Sequence, residues 1–275
     1  MGLPKSTYYY RLRTEGERLS KEKTDVALKE EIDRIHFDFP TYGRRKLIAE
    51  LRRRGIVVNH KKVERIQRKF GLFPITVRKF VRTTDSDHCL KKYPNLLKDA
   101  VVTDLDEAWV ADITYVRIET GFAFVAVILD LLSRKCIGWA ISKRIDTRLT
   151  LCALNMALEK RKPLPGCIHH SDQGVQYCSK QYVDRLNEWG FRISMSRKGN
   201  PYDNAWAESF MKILKYEEVY LMGYETYDDV LERLPRFIEE LYNQKRVHSS
   251  IRYLTPEEFE WQMRKRTGQR PLNKD

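Results

Sequence analysis

Residues 108–118 read Ala-Trp-Val-Ala-Asp-Ile-Thr-Tyr-Val-Arg-Ile, a run of β-branched and aromatic side chains that predicts a β-strand. One carboxylate, Asp112, stands in the middle of this run between apolar neighbours. A carboxylate placed in a core costs free energy unless it is paired with a cation or bound to a metal ion. The strand therefore marks both the start of a folded domain and the first candidate for a functional site.

The sequence after this strand predicts alternating strands and helices. Two more strands, Phe122–Leu132 and Lys135–Ser142, follow closely enough to form an antiparallel meander with the first. The remaining segments are expected to be helices at Thr147–Glu159, Lys180–Trp189 and Ala205–Lys215, and strands at Cys167–His170 and Phe191–Met195. This order is that of an α/β, ribonuclease-H-like fold, in which helices flank a mixed sheet.

Residues 25–72 predict a small helical module. Apolar stripes indicate two helices that end near Phe39 and Gly55, and Asn59 is placed to cap a third. The last two helices resemble a helix-turn-helix, whose second helix can lie in the major groove or on the phosphate backbone of DNA. The candidate DNA contacts here are Arg44, Arg45, Lys62 and Arg65. The alternative is a helical bundle whose charges are only solvated.

The overall charge favours a polyanionic partner. Lys and Arg number 51 against 38 acids, which gives a net charge of +13, and basic side chains release counterions when they meet phosphates. The longest apolar run, Phe122–Leu132, is too short to cross a bilayer and is interrupted by Asp130. Five scattered cysteines fit a reducing cytoplasm better than a disulfide framework.

Changes in pattern predict four segments. A helix-turn-helix-like module at 1–72 is followed by a linker at 73–103, where periodicity is lost and Pro74 and Pro94 interrupt the chain. The α/β core is expected at 104–222 and a helical tail at 223–275.

Two further acids occupy special positions in this layout. Asp172 directly follows the Cys167–His170 strand, and Glu208 lies in the first turns of the helix after Asn204. Three converging carboxylates repel each other, which Mg²⁺ relieves because it takes oxygen ligands and keeps several waters. Two such ions about 4 Å apart can activate a nucleophile and stabilise the leaving oxygen of a phosphodiester. Spacing alone carries little weight, because acids make up 38 of the 275 residues.

The sequence around each acid carries more weight than the spacing. The three blocks are Trp109–Tyr115, His170–Gly174 and Asn200–Phe210, and two more are Leu129–Arg134 and Tyr242–Ser250. With Tyr42-Gly43-Arg44-Arg45, these blocks resemble bacterial insertion-sequence transposases encoded by two overlapping reading frames, whose second product has a retroviral-integrase-like core. The resemblance covers nearly the whole chain.

This resemblance implies that Asp112, Asp172 and Glu208 form a catalytic triad that binds Mg²⁺ or Mn²⁺, with two ions per site. It implies metal-dependent cleavage at the ends of an element, followed by attack of the freed 3′-hydroxyl on another phosphodiester. The implied partners are double-stranded DNA from the element ends and the target, other copies of the chain bound to that DNA, and an upstream-frame protein.

Several residues near the triad are candidate DNA contacts. The resemblance gives Lys215 this role, and Lys212 lies on the same helix face as Lys215 and Glu208. Arg197 and Lys198 belong to a basic loop before the helix that carries the glutamate. Asn204 is expected to cap that helix, which would bring its N-terminus near a phosphate.

Other interpretations remain open. The chain can be a non-enzymatic DNA-binding regulator built on the N-terminal helices, or a nuclease of the same fold that only hydrolyses. Asp130 is better explained by a structural role at a strand end, and His169 and His170 by packing or hydrogen bonding. A zinc site at Cys167 and Cys178 would lack ligands. Arg246 and His248 are expected either to contact DNA or to pack on the core.

Overall fold

The computed structural model describes residues 5–76, 90–98, 100–197 and 201–266; within these ranges the side chains of residues 6–8, 10–13, 16–18, 201 and 202 are not described. The internal contacts of the chain divide it into two units, residues 1–76 and 77–275. In the described residues, no helix is both long and apolar enough to cross a membrane.

The first unit is a bundle of three helices: α1 (Lys5–Asp38), α2 (Arg44–Arg53) and α3 (His60–Phe70). Its core contains Ile32 and Ile35 of α1, Leu47 of α2 and Ile66 of α3, all of them fully buried. The predicted cap is present, because the Asn59 side chain accepts a hydrogen bond from the Lys61 backbone N–H at 3.0 Å. The first helix begins well before the apolar stripe that predicted it.

The second unit is built on a five-stranded mixed sheet in the order β3-β2-β1-β4-β5. The strands are β1 (Ala108–Ile118), β2 (Gly121–Asp130), β3 (Cys136–Ser142), β4 (Ile168–Ser171) and β5 (Arg192–Met195). The first three form the predicted antiparallel meander, while β4 runs parallel to β1 and β5 parallel to β4.

Helices cover both faces of this sheet. One face packs on α4 (Thr147–Arg161), α5 (Val175–Cys178) and α6 (Lys180–Glu188). The other packs on α7 (Ala205–Leu214), the first π-helix (Lys215–Val219), α9 (Tyr227–Arg236) and the second π-helix (Phe237–Lys245). The remaining α-helices of the described residues are the short α8 (Tyr220–Met222) and α10 (Pro256–Arg266). Alternate residues of β1 point to opposite sides of the sheet. Most residues in both sets are apolar, so each face can pack against helices.

The second half of the predicted linker is part of this unit. Leu97 is buried in the core, and the Leu96 backbone N–H donates to Ser194 Oγ at 2.8 Å. The Met195 N–H donates to the Pro94 carbonyl at 3.3 Å, so this segment runs beside β5. Loss of periodicity here reflects an irregular segment that packs on the sheet.

The predicted C-terminal tail is also packed on the sheet. The Asn243 side chain bonds both the N–H and the carbonyl of Cys136 at 2.9 Å, and so satisfies backbone groups on the edge strand β3. Tyr242 is buried, and its hydroxyl donates to the Arg134 carbonyl at 3.0 Å. Residues between Tyr224 and Tyr242 therefore help to form the core.

Candidate active site

The site begins where β1 loses its neighbour. Strand β4 pairs with β1 only from Ala108 to Val110, so the following residues of β1 form an open edge. Asp112 lies on this open stretch and is half-buried. Asp172 comes directly after β4, and Glu208 lies on the exposed side of the first turns of α7, which packs against β1. The fold therefore gathers the three predicted acids at one edge.

The three carboxylates act on each other electrostatically. Removal from water, together with the nearby Asp172 and Glu208 carboxylates, raises the pKa of the Asp112 carboxyl to about 8. The Ile113 N–H, which donates to Asp112 Oδ1 at 2.9 Å, and the Lys215 ammonium oppose this effect but are outweighed. A charged Asp112 needs a further cation at this position.

The turn after β4 fixes the second acid. The Gly174 N–H donates to Asp172 Oδ1 at 2.9 Å. A Cβ at position 174 would also lie 2.9 Å from this oxygen, which is closer than real Cβ atoms approach. A side chain at position 174 would therefore displace the Asp172 carboxylate from this position.

The donor set fits a hard divalent cation, although it is not a closed metal cage. Among the residues that the structure describes, no three His, Cys, Asp or Glu side chains are already positioned to hold a metal ion. The triad supplies carboxylate oxygens that repel each other, and Mg²⁺ needs few such ligands because it keeps several waters. Asp112, Asp172 and Glu208 are the side chains that could hold such an ion.

Asn204 ties α7 to the open edge, and the prediction that its side chain caps the helix is wrong. The residue stands at the helix start but makes no side-chain cap bond. Instead, its Nδ2 donates to the Ala111 carbonyl at 3.3 Å, and the residue is only 5% exposed. The physical reason is that Ala111 lies beyond the pairing with β4 and its carbonyl needs a donor.

Lys215 lies close enough to Asp112 for the two charges to interact. Burial lowers the pKa of its ammonium group, while the Asp112 carboxylate acts in the opposite direction. Its Nζ lies 4.5 Å from the centre of the Tyr115 ring. Lys212, one turn earlier, is exposed. Tyr115 was not among the predicted site residues, although the sequence places this aromatic residue three positions after Asp112 on the same strand.

The predicted basic loop is partly described. The backbone N–H and Nε of Arg197 both donate to Asp203 Oδ2 at 3.0 Å, which bridges the loop. These hydrogen bonds hold the pKa of Asp203 well below its usual range. Arg197 is exposed despite the pair, and Lys198 lies outside the described residues.

The basic candidates of the first unit fall into two groups. Arg45 is exposed and Lys62 half-buried on the surface of the bundle. Arg44 pairs with Glu64 at 2.6 Å, and Arg65 donates two hydrogen bonds, of 2.7 and 2.8 Å, to the buried Asp25. Arg65 therefore joins α3 to α1.

The residues with two interpretations are structural. Asp130 is buried and accepts hydrogen bonds from the N–H groups of Asp106 and Ser133 at 2.8 and 2.7 Å. His169 bonds the Tyr182 hydroxyl at 2.9 Å, and His170 bonds Ser194 Oγ at 2.8 Å.

The remaining ambiguous residues also pack within the second unit. Arg246 is buried against Glu217 at 2.7 Å, and His248 is buried beside it, so both pack on the core. Cys167 and Cys178 are free thiols, and no zinc site forms around them in the described part of the chain.

Comparison with known proteins identifies the family. Two Integrase core domain models match residues 104–201 and 189–256, and an HTH-like domain model matches residues 23–80. The chain is 35% identical over 246 residues to the transposase for insertion sequence element IS904 of Lactococcus lactis, covering 88% of this chain and 97% of that protein. The chain belongs to the insertion-sequence transposase family.

Two further relatives, both from insertion elements, also match most of the chain. The uncharacterized 31 kDa protein of insertion element IS600 from Shigella sonnei is 37% identical over 260 residues, or 94% of this chain and 95% of that protein. The transposase InsF for IS3A of Escherichia coli K12 is 39% identical over 220 residues, or 80% and 76%. The predicted transposase family, integrase-like ribonuclease-H fold and helix-turn-helix-like module are confirmed.

Proposed function

We propose that this chain cuts DNA at the ends of its element and joins the freed 3′-hydroxyl to other DNA, with Asp112, Asp172 and Glu208 as the metal-binding catalytic residues. One observation carries the proposal. In an integrase core, three carboxylates from separate elements meet at the open edge of β1 closely enough to raise the pKa of Asp112. Such crowding has a chemical purpose if divalent cations bind there.

The acids would hold Mg²⁺ or Mn²⁺, with two ions per site. When bound, the ions activate the attacking oxygen and stabilise the leaving one. The protein groups hold and orient the DNA around that centre. Lys215 would hold a phosphate near Asp112, and the exposed Lys212 on α7 would contact the DNA beside it. Asn204 positions α7, and with it Glu208, through its bond to Ala111.

The remaining DNA contacts are assigned to exposed basic residues. We place Arg45 and Lys62, with Arg44 beside them, against DNA in the helix-turn-helix-like unit. Arg197 and Lys198 would meet the DNA near the triad. The chain would act in the bacterial cytoplasm as a homo-oligomer on double-stranded DNA, either alone or with an upstream-frame protein.

The triad assignment is tested by end cleavage with Mg²⁺ in three separate variants, Asp112→Asn, Asp172→Asn and Glu208→Gln. Each should reduce the cleavage rate by at least about 100-fold, because each removes a charge that holds the metal ions, which supply several kcal/mol of transition-state stabilisation. Asp184→Asn and Glu159→Gln are matched controls, since both acids are exposed and lie on α6 and α4.

The result also separates other functions of the same fold. Full cleavage in any one triad variant would refute that residue's assignment. An enzyme that only hydrolyses would cut the ends but give no joined product from pre-cut ends. A DNA-binding regulator would show neither reaction, and the triad variants would keep its biological effect.

A further inference from the structure

Four aromatic side chains form a surface beside the candidate active site, which we call the aromatic ledge: Tyr115, Phe122, Tyr216 and Tyr220. The Tyr115 and Phe122 rings meet edge to face with their centres 5.3 Å apart, and the Tyr216 and Tyr220 rings do so at 5.6 Å. Phe122 is 49% exposed, and the three tyrosines are half-buried. The two pairs are neighbours, because the Lys215 Nζ lies 4.5 Å from the centre of the Tyr115 ring and Lys215 directly precedes Tyr216 in the first π-helix.

The local backbone explains why these rings face outward. Tyr115 lies on the stretch of β1 that has no β4 neighbour. Tyr216 lies in the first π-helix, whose wider turn changes the direction of side chains relative to α7. The acids of this turn point elsewhere: Glu217 pairs with the buried Arg246, and Glu218 is buried against the Tyr224 hydroxyl at 2.8 Å. The first π-helix therefore contributes Tyr216 to the ledge, whereas Glu217 and Glu218 are paired elsewhere.

Positive charge lies next to the ledge. The Lys215 Nζ is 4.5 Å from the Tyr115 ring centre and acts on the Asp112 carboxylate, so it connects the ledge to the triad. The exposed Arg117 pairs in register with Phe122 on the neighbouring strand. A polyanion with flat apolar groups is complementary to such a surface.

We propose that the aromatic ledge binds unpaired nucleobases at an opened DNA end by stacking, while Lys215 and Arg117 hold the adjoining phosphates. Bases stack on aromatic side chains with little regard to sequence, and backbone phosphates are held by nearby cations. An intact duplex hides its base faces, so the ledge would distinguish an opened end from a closed one. The placement beside the triad rests on the proposed function, but the stacking itself needs no catalysis.

The test is a binding measurement with the full chain in EDTA. Two probes are compared: a blunt duplex, and the same duplex with a short single-stranded 3′ tail that contains 2-aminopurine. Wild type should bind the tailed probe more tightly and quench its fluorescence. Phe122→Leu and Tyr115→Leu should each weaken tailed binding by about 5- to 150-fold and leave blunt binding unchanged. Tyr115→Phe, which keeps the ring, should bind like wild type.

Trp261→Leu is the matched control, because Trp261 is as exposed as Phe122, at 49%. It also lies next to a cation, since the Lys265 Nζ is 3.7 Å from its ring centre. Trp261 lies on α10, away from the ledge. Its neighbour Glu260 accepts a hydrogen bond from Ser133, which follows the C-terminal end of β2, whereas Phe122 is at the N-terminal end of that strand. Phe122→Leu changes an exposed position, so it keeps the test decisive even if Tyr115→Leu fails to fold. The proposal is overturned if wild type does not prefer the tail, or if the leucine variants lose both probes equally or neither.

The two proposals fail in different measurements. If the ledge is wrong, the probe preference is absent while the triad variants still lose cleavage. If the catalytic assignment is wrong, cleavage survives in the triad variants while the leucine variants still lose the tailed probe.

Discussion

At the residue scale, Asp112 shows how a site is made from an energetically unfavourable position. Its carboxyl has a pKa near 8 because it is removed from water beside two other carboxylates. The backbone N–H of Ile113 and the Lys215 ammonium only partly offset this. The charge of Asp112 destabilises the folded state when no further cation is present.

His169 gives a stability prediction that depends on pH. Burial, and then the neighbouring His170, lower its pKa from 6.5 to about 3 in the folded chain. Below pH 6.5 the unfolded chain therefore binds a proton at His169, whereas the folded chain does not. The contribution of His169 to the free energy of unfolding is fully present above pH 6.5 and is lost as the pH falls. This residue should cost the wild type up to about 1.4 kcal/mol for each pH unit below that value.

The measurement compares wild type with His169→Gln in urea at several pH values between 7 and 5. All five tryptophans lie in the second unit, so their fluorescence follows the unfolding of that unit. The advantage of the wild type over the variant should shrink as pH falls. A constant difference between wild type and His169→Gln would contradict the pKa shift.

At the scale of elements, a buried ionic cluster fixes α10 to the sheet. Arg161 at the end of α4 pairs with Glu260 of α10, with one hydrogen bond of 3.0 Å, and both side chains are 5% exposed. Ser133 Oγ donates to the same carboxylate at 2.8 Å. Burial alone would raise the pKa of Glu260, but Arg161 and Lys135 outweigh it and hold the pKa below its ordinary value.

Glu260→Ala should therefore destabilise the second unit by about 3–5 kcal/mol, because it leaves the Arg161 charge buried without its main partner. The measurement is the free energy of unfolding, again followed by tryptophan fluorescence. Glu232→Ala is the control, since Glu232 is exposed on α9. A loss below about 1 kcal/mol, the range of surface ion pairs, would show that α10 is not held by this cluster.

At the scale of the whole molecule, the net charge of +13 attracts DNA electrostatically before any specific contact forms. Its basic residues have different roles in the first unit. Arg45 is exposed, whereas Arg65 forms a bidentate pair with the buried Asp25 and holds the pKa of that carboxyl below its usual range. Only residues of the first kind are expected to release counterions on binding.

Arg45→Ala should weaken duplex binding and make the plot of log affinity against log salt shallower by about one, as expected for one lost phosphate contact. Arg65→Ala should instead lower the stability of the bundle, because the buried Asp25 would lose its two hydrogen bonds from Arg65 and keep only the more distant Lys69 ammonium, at 3.8 Å. Lys23→Ala, on the exposed surface of α1, is the control for simple loss of charge. An unchanged salt slope for Arg45→Ala would remove this residue from the DNA interface.

The sequence by itself determined the elements of this protein. Strand periodicity around Asp112, the apolar stripes of the helices and the Asn59 cap depend on neighbours within a few residues, and backbone geometry fixes those relations. It also located the three acids, because each stands at a recognisable point of an element: a strand centre, a strand end and a helix start.

Only the tertiary structure decided what distant residues do to each other. Asn204 donates a hydrogen bond to the Ala111 carbonyl rather than capping its own helix, and Arg65 donates to Asp25. Residues between Tyr224 and Tyr242 complete the core. The aromatic ledge brings Tyr115 beside Tyr220, although more than a hundred residues separate them in the chain. Such pairings follow from strand order and from where β4 stops pairing with β1, and no local pattern in the sequence records either.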